Sequence, residues 1–348
     1  MRSDNDTSGA VLAGPPNLNT EELANAVSQQ FGLDGDYTEL VSERDRNFRL
    51  TSEDGTSYVV KATCLAEDPV VTDFQISALT YLENRGVRGV PRIVRTPVGR
   101  DRGVIQSEDG FEVCLRVVTW LTGNLLCNYE VTPEIAQRFG KRLAELDVAF
   151  EGFSHAGESQ TLLWDSQRAG ELRGLLDHVY DKAVREAVEG VLDDFDSRVK
   201  PALADLPQQV IHNDANDENI LLDARGGIAG IIDFGDMMKA PRVVDVATAA
   251  SYLRAEDDSL RLIEPFVVAY NEENTLLEAE IDVLFDLIRT RLSMSLIILY
   301  WRLAARDEND PYRQKSLAAN SNALNILQKL TKFGRTAFIE RIFRQASC

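Results

Sequence analysis

Between Val210 and Asp233 the chain reads VIHNDANDENILLDARGGIAGIID, and no other segment restricts its possible folds as much. Val210, Ile211 and His212 read as one short strand and Ile220 to Leu222 as a second. Ile228 to Asp233 returns as a third through the turn Ala224-Arg225-Gly226-Gly227. His212, Asp214 and Asn219 stand in the pattern H-x-D-x-x-x-x-N, and Asp233-Phe234-Gly235 closes the returning strand. An ordinary hairpin with polar ends has no need of a carboxylate, an amide and a second carboxylate at these spacings. The fold must therefore hold two polar loops at the ends of neighbouring strands.

Such a set suits phosphoryl transfer, which needs little covalent help from a protein. It needs a carboxylate to orient and accept the proton of an attacking hydroxyl, and oxygen ligands to hold magnesium against a triphosphate. Asp214 fits the first role, and Asn219 and Asp233 fit the second, since magnesium takes hard oxygen donors and few carboxylates. Lys61 ends the strand Tyr58-Val59-Val60-Lys61, where an ammonium would meet the α and β phosphates of ATP or GTP. The loop before it, Val41 to Phe48, is expected to cover the triphosphate. It contains Ser42, Arg44, Arg46 and Asn47 but no glycine, so backbone amides, Ser42 or the arginines must do the work of a glycine-rich loop.

At 348 residues the chain is too long for one small core. Thr20 opens a helix with the stripe Leu23, Val27 and Phe31. Strands follow at Asn47 to Thr51, Ser57 to Ala62, Val104 to Ser107 and Phe111 to Thr119, with a helix over Thr72 to Arg85 between the two pairs. After Gly123 the pattern is mostly helical. The expected organisation is a flexible tail at 1–16, a nucleotide-binding lobe at 17–120 and a catalytic, substrate-binding lobe at 121–348. The nucleobase would lie at the junction, near Trp120. A net charge of −19 argues against nucleic acid as partner and suits either solubility or a cationic substrate. No run approaches the roughly 20 apolar residues of a membrane span, and the polar first 16 residues lack a signal-peptide core. Four scattered cysteines suggest neither zinc nor a disulfide framework, and the cytoplasm is the expected location.

With these residues in view, the chain resembles the aminoglycoside phosphotransferase and choline kinase superfamily of small-molecule kinases. Within it the nearer likeness is to hydroxylysine kinases and to the kinase-like domains fused to class III aminotransferases. The likeness is carried by Asp45-Arg46-Asn47-Phe48, Tyr58 to Lys61, Phe74-Gln75 through Leu82, and His212 to Leu222. It continues through Ile232 to Met237, Arg291 to Ser295 and the closing Phe343 to Cys348, whose match suggests a complete domain. The resemblance implies an α+β, bilobal protein-kinase-like fold with a small sheet-rich N-lobe and a larger, mostly helical C-lobe. It implies transfer of a γ-phosphoryl group to a hydroxyl of a small amine or amino acid, with hydroxylysine the first candidate. By matching position Asp214 is the base, Asn219 and Asp233 are magnesium ligands, and Lys61 is the phosphate lysine. Asp245 braces the catalytic loop or caps a helix, and His212 positions that loop. Asp236 is a candidate for a substrate ammonium, and Arg291, ahead of Arg302, for a substrate carboxylate. Two departures stand out: Gln75 where relatives carry the Glu that pairs with the lysine, and Asn213 where they carry Gly. They leave open an inactive, nucleotide- or metabolite-binding module.

Overall fold

The computed structural model describes residues 14–42, 44–255, 258–304 and 311–343, without the side chains of 311–321. The expected tail falls mostly outside these residues, as does the closing segment after Phe343. Two compact units result. The first holds the chain up to Gly123 together with Phe153–Leu163 and Ala229–Gly235. The second holds Asn124–Gly152, Trp164–Ile228 and the chain from Asp236 on. A division at residue 120 is thus a continuous cut through a chain whose first unit takes two later segments.

In the first unit, helix α1 (Thr20–Phe31) starts at Asn19, whose side chain accepts from the amides of Glu21 and Glu22, and ends at Gly32 with φ 69°. Strands β1 (Asp36–Leu40), β2 (Arg46–Thr51) and β3 (Ser57–Ala62) form an antiparallel meander. Helix α2 (Pro69–Asn84) interrupts them before β4 (Gly103–Gln106) and β5 (Glu112–Thr119) complete a sheet of order β1-β2-β3-β5-β4. Helix α2 begins earlier than the Thr72 expected, because Asp68 caps it and Pro69 fits the first helical position. Leu23, Val27 and Phe31 pack on the alternate sheet residues Phe48, Leu50, Val60, Ala62, Leu115 and Val117. The opposite set of the alternation includes Lys61, which stands across from Asn47 on β2 and Arg116 on β5.

The second unit opens with β6 (Asn124–Leu125) and α3 (Pro133–Phe150), followed by 3-10 turns and α4 (Lys182–Asp194) and α5 (Lys200–Ala204). Then come β7 (Gln209–Ile211), β8 (Ile220–Leu222) and, after β9 (Ile228–Ile231), nearly all of which belongs to the first unit, β10 (Met238–Ala240), antiparallel to β7. Helices α6 (Arg242–Ser251), α7 (Leu260–Glu273), α8 (Glu278–Ala304), α9 (Pro311–Phe333) and α10 (Arg335–Phe343) complete it. Helix α8 is buried nearly all round, with Asp286, Arg289 and Arg291 among its enclosed side chains, and packs against α4, α6, α9 and α10. Among the described residues no helix is long and apolar enough to cross a membrane, and no disulfide links Cys64, Cys114 and Cys127.

Candidate active site

In the first unit the returning strand β9 delivers Asp233 beside the end of β3. Lys61 Nζ lies 3.5 Å from Asp233 Oδ1, and half of the Asp233 side chain is open to solvent. Asp233 has φ 59°, and with Asn213 at φ 62° it is one of two non-glycine residues with positive φ among those described. Side chains reach this region at a cost of about 1 kcal/mol, least for Asn and Asp, and strain of this kind collects at functional sites. Of the two loop arginines, Arg44 sits close to this segment: a Cβ placed on Gly235 would meet Arg44 Nη2 at 3.2 Å. Arg46 is turned away, held by Glu39 at 2.7 Å and by the Leu18 carbonyl, with its guanidinium against Phe48. Two cations, Lys61 and Arg44, therefore face the Asp233-Phe234-Gly235 turn.

Gln75 does not serve Lys61. Its Oε1 accepts from Arg116 Nη1, and its Nε2 lies 3.5 Å from the Gly235 carbonyl. Arg116 is 4% exposed and also donates to Asp45 Oδ2 at 3.1 Å, while Asp45 Oδ1 accepts the Cys64 amide. Burial, then the charge of Asp45, pushes the neighbouring Glu67 carboxyl up, against the pull of Arg116. The amide thus ties α2 to β5 and to the Asp233 turn. Ser42 is half-buried in the covering loop. Trp120 follows β5, with its backbone amide on the Ser57 carbonyl and the Arg49 guanidinium 4.4 Å from its ring centroid.

In the second unit a tight loop after β7 gathers the remaining residues. Asp214 Oδ1 accepts from Asn216 Nδ2 at 2.9 Å, and Oδ2 accepts from Asn219 Nδ2 at 2.8 Å. The same Asn219 Nδ2 donates to the Asp214 carbonyl at 2.9 Å. Because the amide nitrogen is spent on Asp214, the Asn219 carbonyl oxygen is the atom left for a ligand. Arg291 Nη2 stands 3.7 Å from Asp214 Oδ1; its Nη1 donates to the Trp164 carbonyl at 2.7 Å, and its guanidinium lies 4.7 Å from the centroid of the Trp164 ring. At 1% exposure Arg291 is committed to Asp214 and Trp164, where a cation for a substrate carboxylate was expected. The Arg302 guanidinium lies 5.7 Å from the centroid of the same indole.

The loop is held from below. The Asp245 carboxylate accepts the amides of His212 at 3.0 Å and Asn213 at 2.8 Å, one on each oxygen. The Asp214 amide donates to His212 Nδ1 at 3.2 Å, which leaves Nε2 to carry the proton of a neutral ring. Asp245 lies in the first turn of α6 but does not cap it, since Pro241 occupies the cap position. Burial raises the Asp245 carboxyl above its ordinary range, while the His212 ring and the two amides hold it down. Asp236 is half-buried in the 3-10 turn Phe234–Asp236. Sequence reasoning missed Asn216, Arg116, Trp164 and the fully buried Asp147 of α3. Only Asp147 left a signal, a charge on the stripe of Phe139, Leu143, Leu146 and Phe150.

The residues fit the magnesium and nucleotide that this chemistry requires. Among the described residues no cluster of three or more His, Cys, Asp and Glu suits a metal. Each unit by itself offers a hard oxygen donor of the kind magnesium accepts when phosphates supply the rest: in the first an accessible carboxylate at Asp233, in the second an oriented amide oxygen at Asn219.

The model of the "Phosphotransferase enzyme family" matches residues 36–280. A hydroxylysine kinase of Danio rerio is 26% identical over 95% of this chain and 96% of its own length. An amicoumacin kinase solved in complex with AMP-PNP, Ca2+ and Ami superimposes with a TM-score of 0.69 at 15% identity, covering 90% of this chain and 94% of its own. A microcompartment-associated aminopropanol kinase gives a TM-score of 0.65 at 15% identity, covering 89% and 97%. The fold is α+β and protein-kinase-like.

Proposed function

The chain belongs to the phosphotransferase enzyme family, and we propose on that premise that it transfers the γ-phosphoryl group of ATP or GTP to a hydroxyl of a small amine or amino acid. A hydroxylysine-like molecule is the first candidate. One observation carries the reading: the Asp214 carboxylate is held by two amides and a guanidinium, yet about a quarter of its side chain stays open to solvent. A carboxylate oriented in this way suits a base that meets an incoming hydroxyl.

Asp214 orients the acceptor hydroxyl and receives its proton. The acceptor oxygen bonds to the γ phosphorus as the bond to the β–γ bridging oxygen breaks and the nucleoside diphosphate leaves. Asn219 and Asp233 would hold magnesium, which when bound neutralises charge on the phosphate oxygens. Lys61 and Arg44 add positive charge on the nucleotide side, and Arg291 keeps Asp214 from swinging away. Hydroxylysine and aminopropanol, named in the relatives, each carry an amine and a hydroxyl, which supports the acceptor class. Gln75 is the feature that favours a non-catalytic module. Lys61 keeps an acidic partner in Asp233 without it, which supports the enzyme.

The test is phosphoryl transfer with magnesium and either ATP or GTP, offering hydroxylysine, choline, ethanolamine, homoserine and an aminoglycoside, with products identified by mass. Phosphorylation of an amine-bearing acceptor above background hydrolysis is expected. Nucleotide binding with no acceptor phosphorylated would favour the binding module.

A further inference from the structure

Beneath the catalytic loop the second unit buries two carboxyl groups against each other. Asp147 follows Gly140 by seven residues, so both lie on one stripe of α3. A Cβ at Gly140 would sit 2.0 Å from the Phe266 carbonyl oxygen, so glycine is what lets α3 press onto α7. Tyr270, one turn beyond Phe266, then reaches Asp147: its hydroxyl donates to Asp147 Oδ2 at 2.5 Å. Asn274 Nδ2 lies 3.4 Å from the same hydroxyl oxygen. Asp147 and Asp245 are also side-chain hydrogen-bond partners, each carboxyl acting on the other's ionisation. Both acids are 0% exposed, and Asp147 Oδ1 receives no N–H or O–H.

Two carboxylates in contact in such a place cannot both be ionised. A single proton between them replaces repulsion with a short O–H···O⁻ hydrogen bond. Asp245 is the better anion, because each of its oxygens already accepts a backbone amide and the His212 ring lies beside it. Asp147 accepts only from Tyr270 and has the oxygen suited to carrying the proton.

We propose that Asp147 is a positioning residue held as a carboxylic acid, donating its proton to Asp245 so that both Asp245 oxygens stay on the amides of His212 and Asn213 and fix Asp214 in place. Burial first, and then the charge of Asp245, drives the Asp147 carboxyl well above the carboxylate range; the Tyr270 hydroxyl and the more distant Arg242 pull the other way. Tyr270 is itself pushed up by burial and by Asp147, so it remains a donor. Arg242 is engaged by Glu280 at 2.9 Å and by the Thr275 carbonyl, and does not neutralise the pair.

The proposal rests on the kinase reading for its rate readout only. Asparagine copies a protonated Asp147: its NH2 donates to Asp245 and its carbonyl accepts from Tyr270. Asp147→Asn should therefore retain turnover within about threefold, whereas Asp147→Leu strips two buried partners and should lose roughly 10- to 100-fold in kcat. Asp245→Asn cannot accept both amides on oxygen and should lose at least as much as the leucine variant. The direct readout is the infrared difference spectrum of wild type minus Asp147→Asn at neutral pH, which should contain the carbonyl band of a protonated carboxyl. Absence of that band, or an asparagine variant as impaired as the leucine variant, would overturn the proposal. Should the leucine variant fail to fold, the infrared band and the asparagine rate still decide. If wild type phosphorylates no acceptor, the kinase reading fails while the band continues to report the proton.

Discussion

Asn213 and Asp233 adopt a backbone conformation that side chains ordinarily avoid; Asn213 adjoins the proposed base Asp214, and Asp233 is itself a proposed magnesium ligand. Asn213 carries a fully buried amide whose nitrogen and oxygen both lack hydrogen-bond partners. Replacing it by glycine removes the strain and the unsatisfied amide together. We expect Asn213→Gly to be at least as stable as wild type, and Asn213→Ala to lose about 1 kcal/mol, read by thermal denaturation. The departure from glycine was visible in sequence; its tolerance follows from asparagine's ease in the left-handed region. Arg291 teaches the opposite lesson. Its presence was legible, but its partner was not, because the Asp214 and Trp164 contacts join residues far apart in the chain. Arg291→Met should lower kcat by roughly 10- to 100-fold with the nucleotide KM nearly unchanged, since it supports the base and not the nucleotide. A raised acceptor KM with unaltered kcat would instead restore the expected carboxylate role.

At the scale of elements, hydrophobic period and caps placed most of the pieces. The stripe Leu23, Val27 and Phe31 with Gly32 gave α1, and Ile220 to Leu222 gave β8 residue for residue. What the pattern does not contain is which faces meet. The Arg116–Gln75–Gly235 link joins β5, α2 and the Asp233 turn, and it occupies the Gln75 amide that the sequence set where relatives carry the Glu of a Glu–lysine pair. Arg116→Met should therefore raise the nucleotide KM while sparing the acceptor KM, measured by varying each substrate in turn. The approach of α3 to α7 through Gly140 is equally silent in sequence. Gly140→Ala sets a methyl group against a backbone carbonyl that cannot yield, and should destabilise by about 1–3 kcal/mol.

For the whole molecule, charge and composition excluded more than they identified, and the catalytic run identified what charge could not. The buried Asp147–Asp245 pair also gives stability a pH dependence. A carboxyl whose folded pKa is raised contributes stability that is full below its ordinary value of 3.8 and is lost as pH rises toward the folded value. Asp147→Asn removes that loss, so its melting temperature relative to wild type should climb as pH goes from 4 toward neutrality. A constant difference would mean Asp147 titrates as an ordinary acid. Acceptor phosphorylation by this mechanism requires Asp214 to serve the acceptor and not the nucleotide. The direct measurement is Asp214→Ala compared with wild type, in acceptor phosphorylation and in magnesium-dependent nucleotide binding. Turnover should vanish while nucleotide affinity stays within about threefold. Retained acceptor phosphorylation in this variant would remove the proposed base from the mechanism.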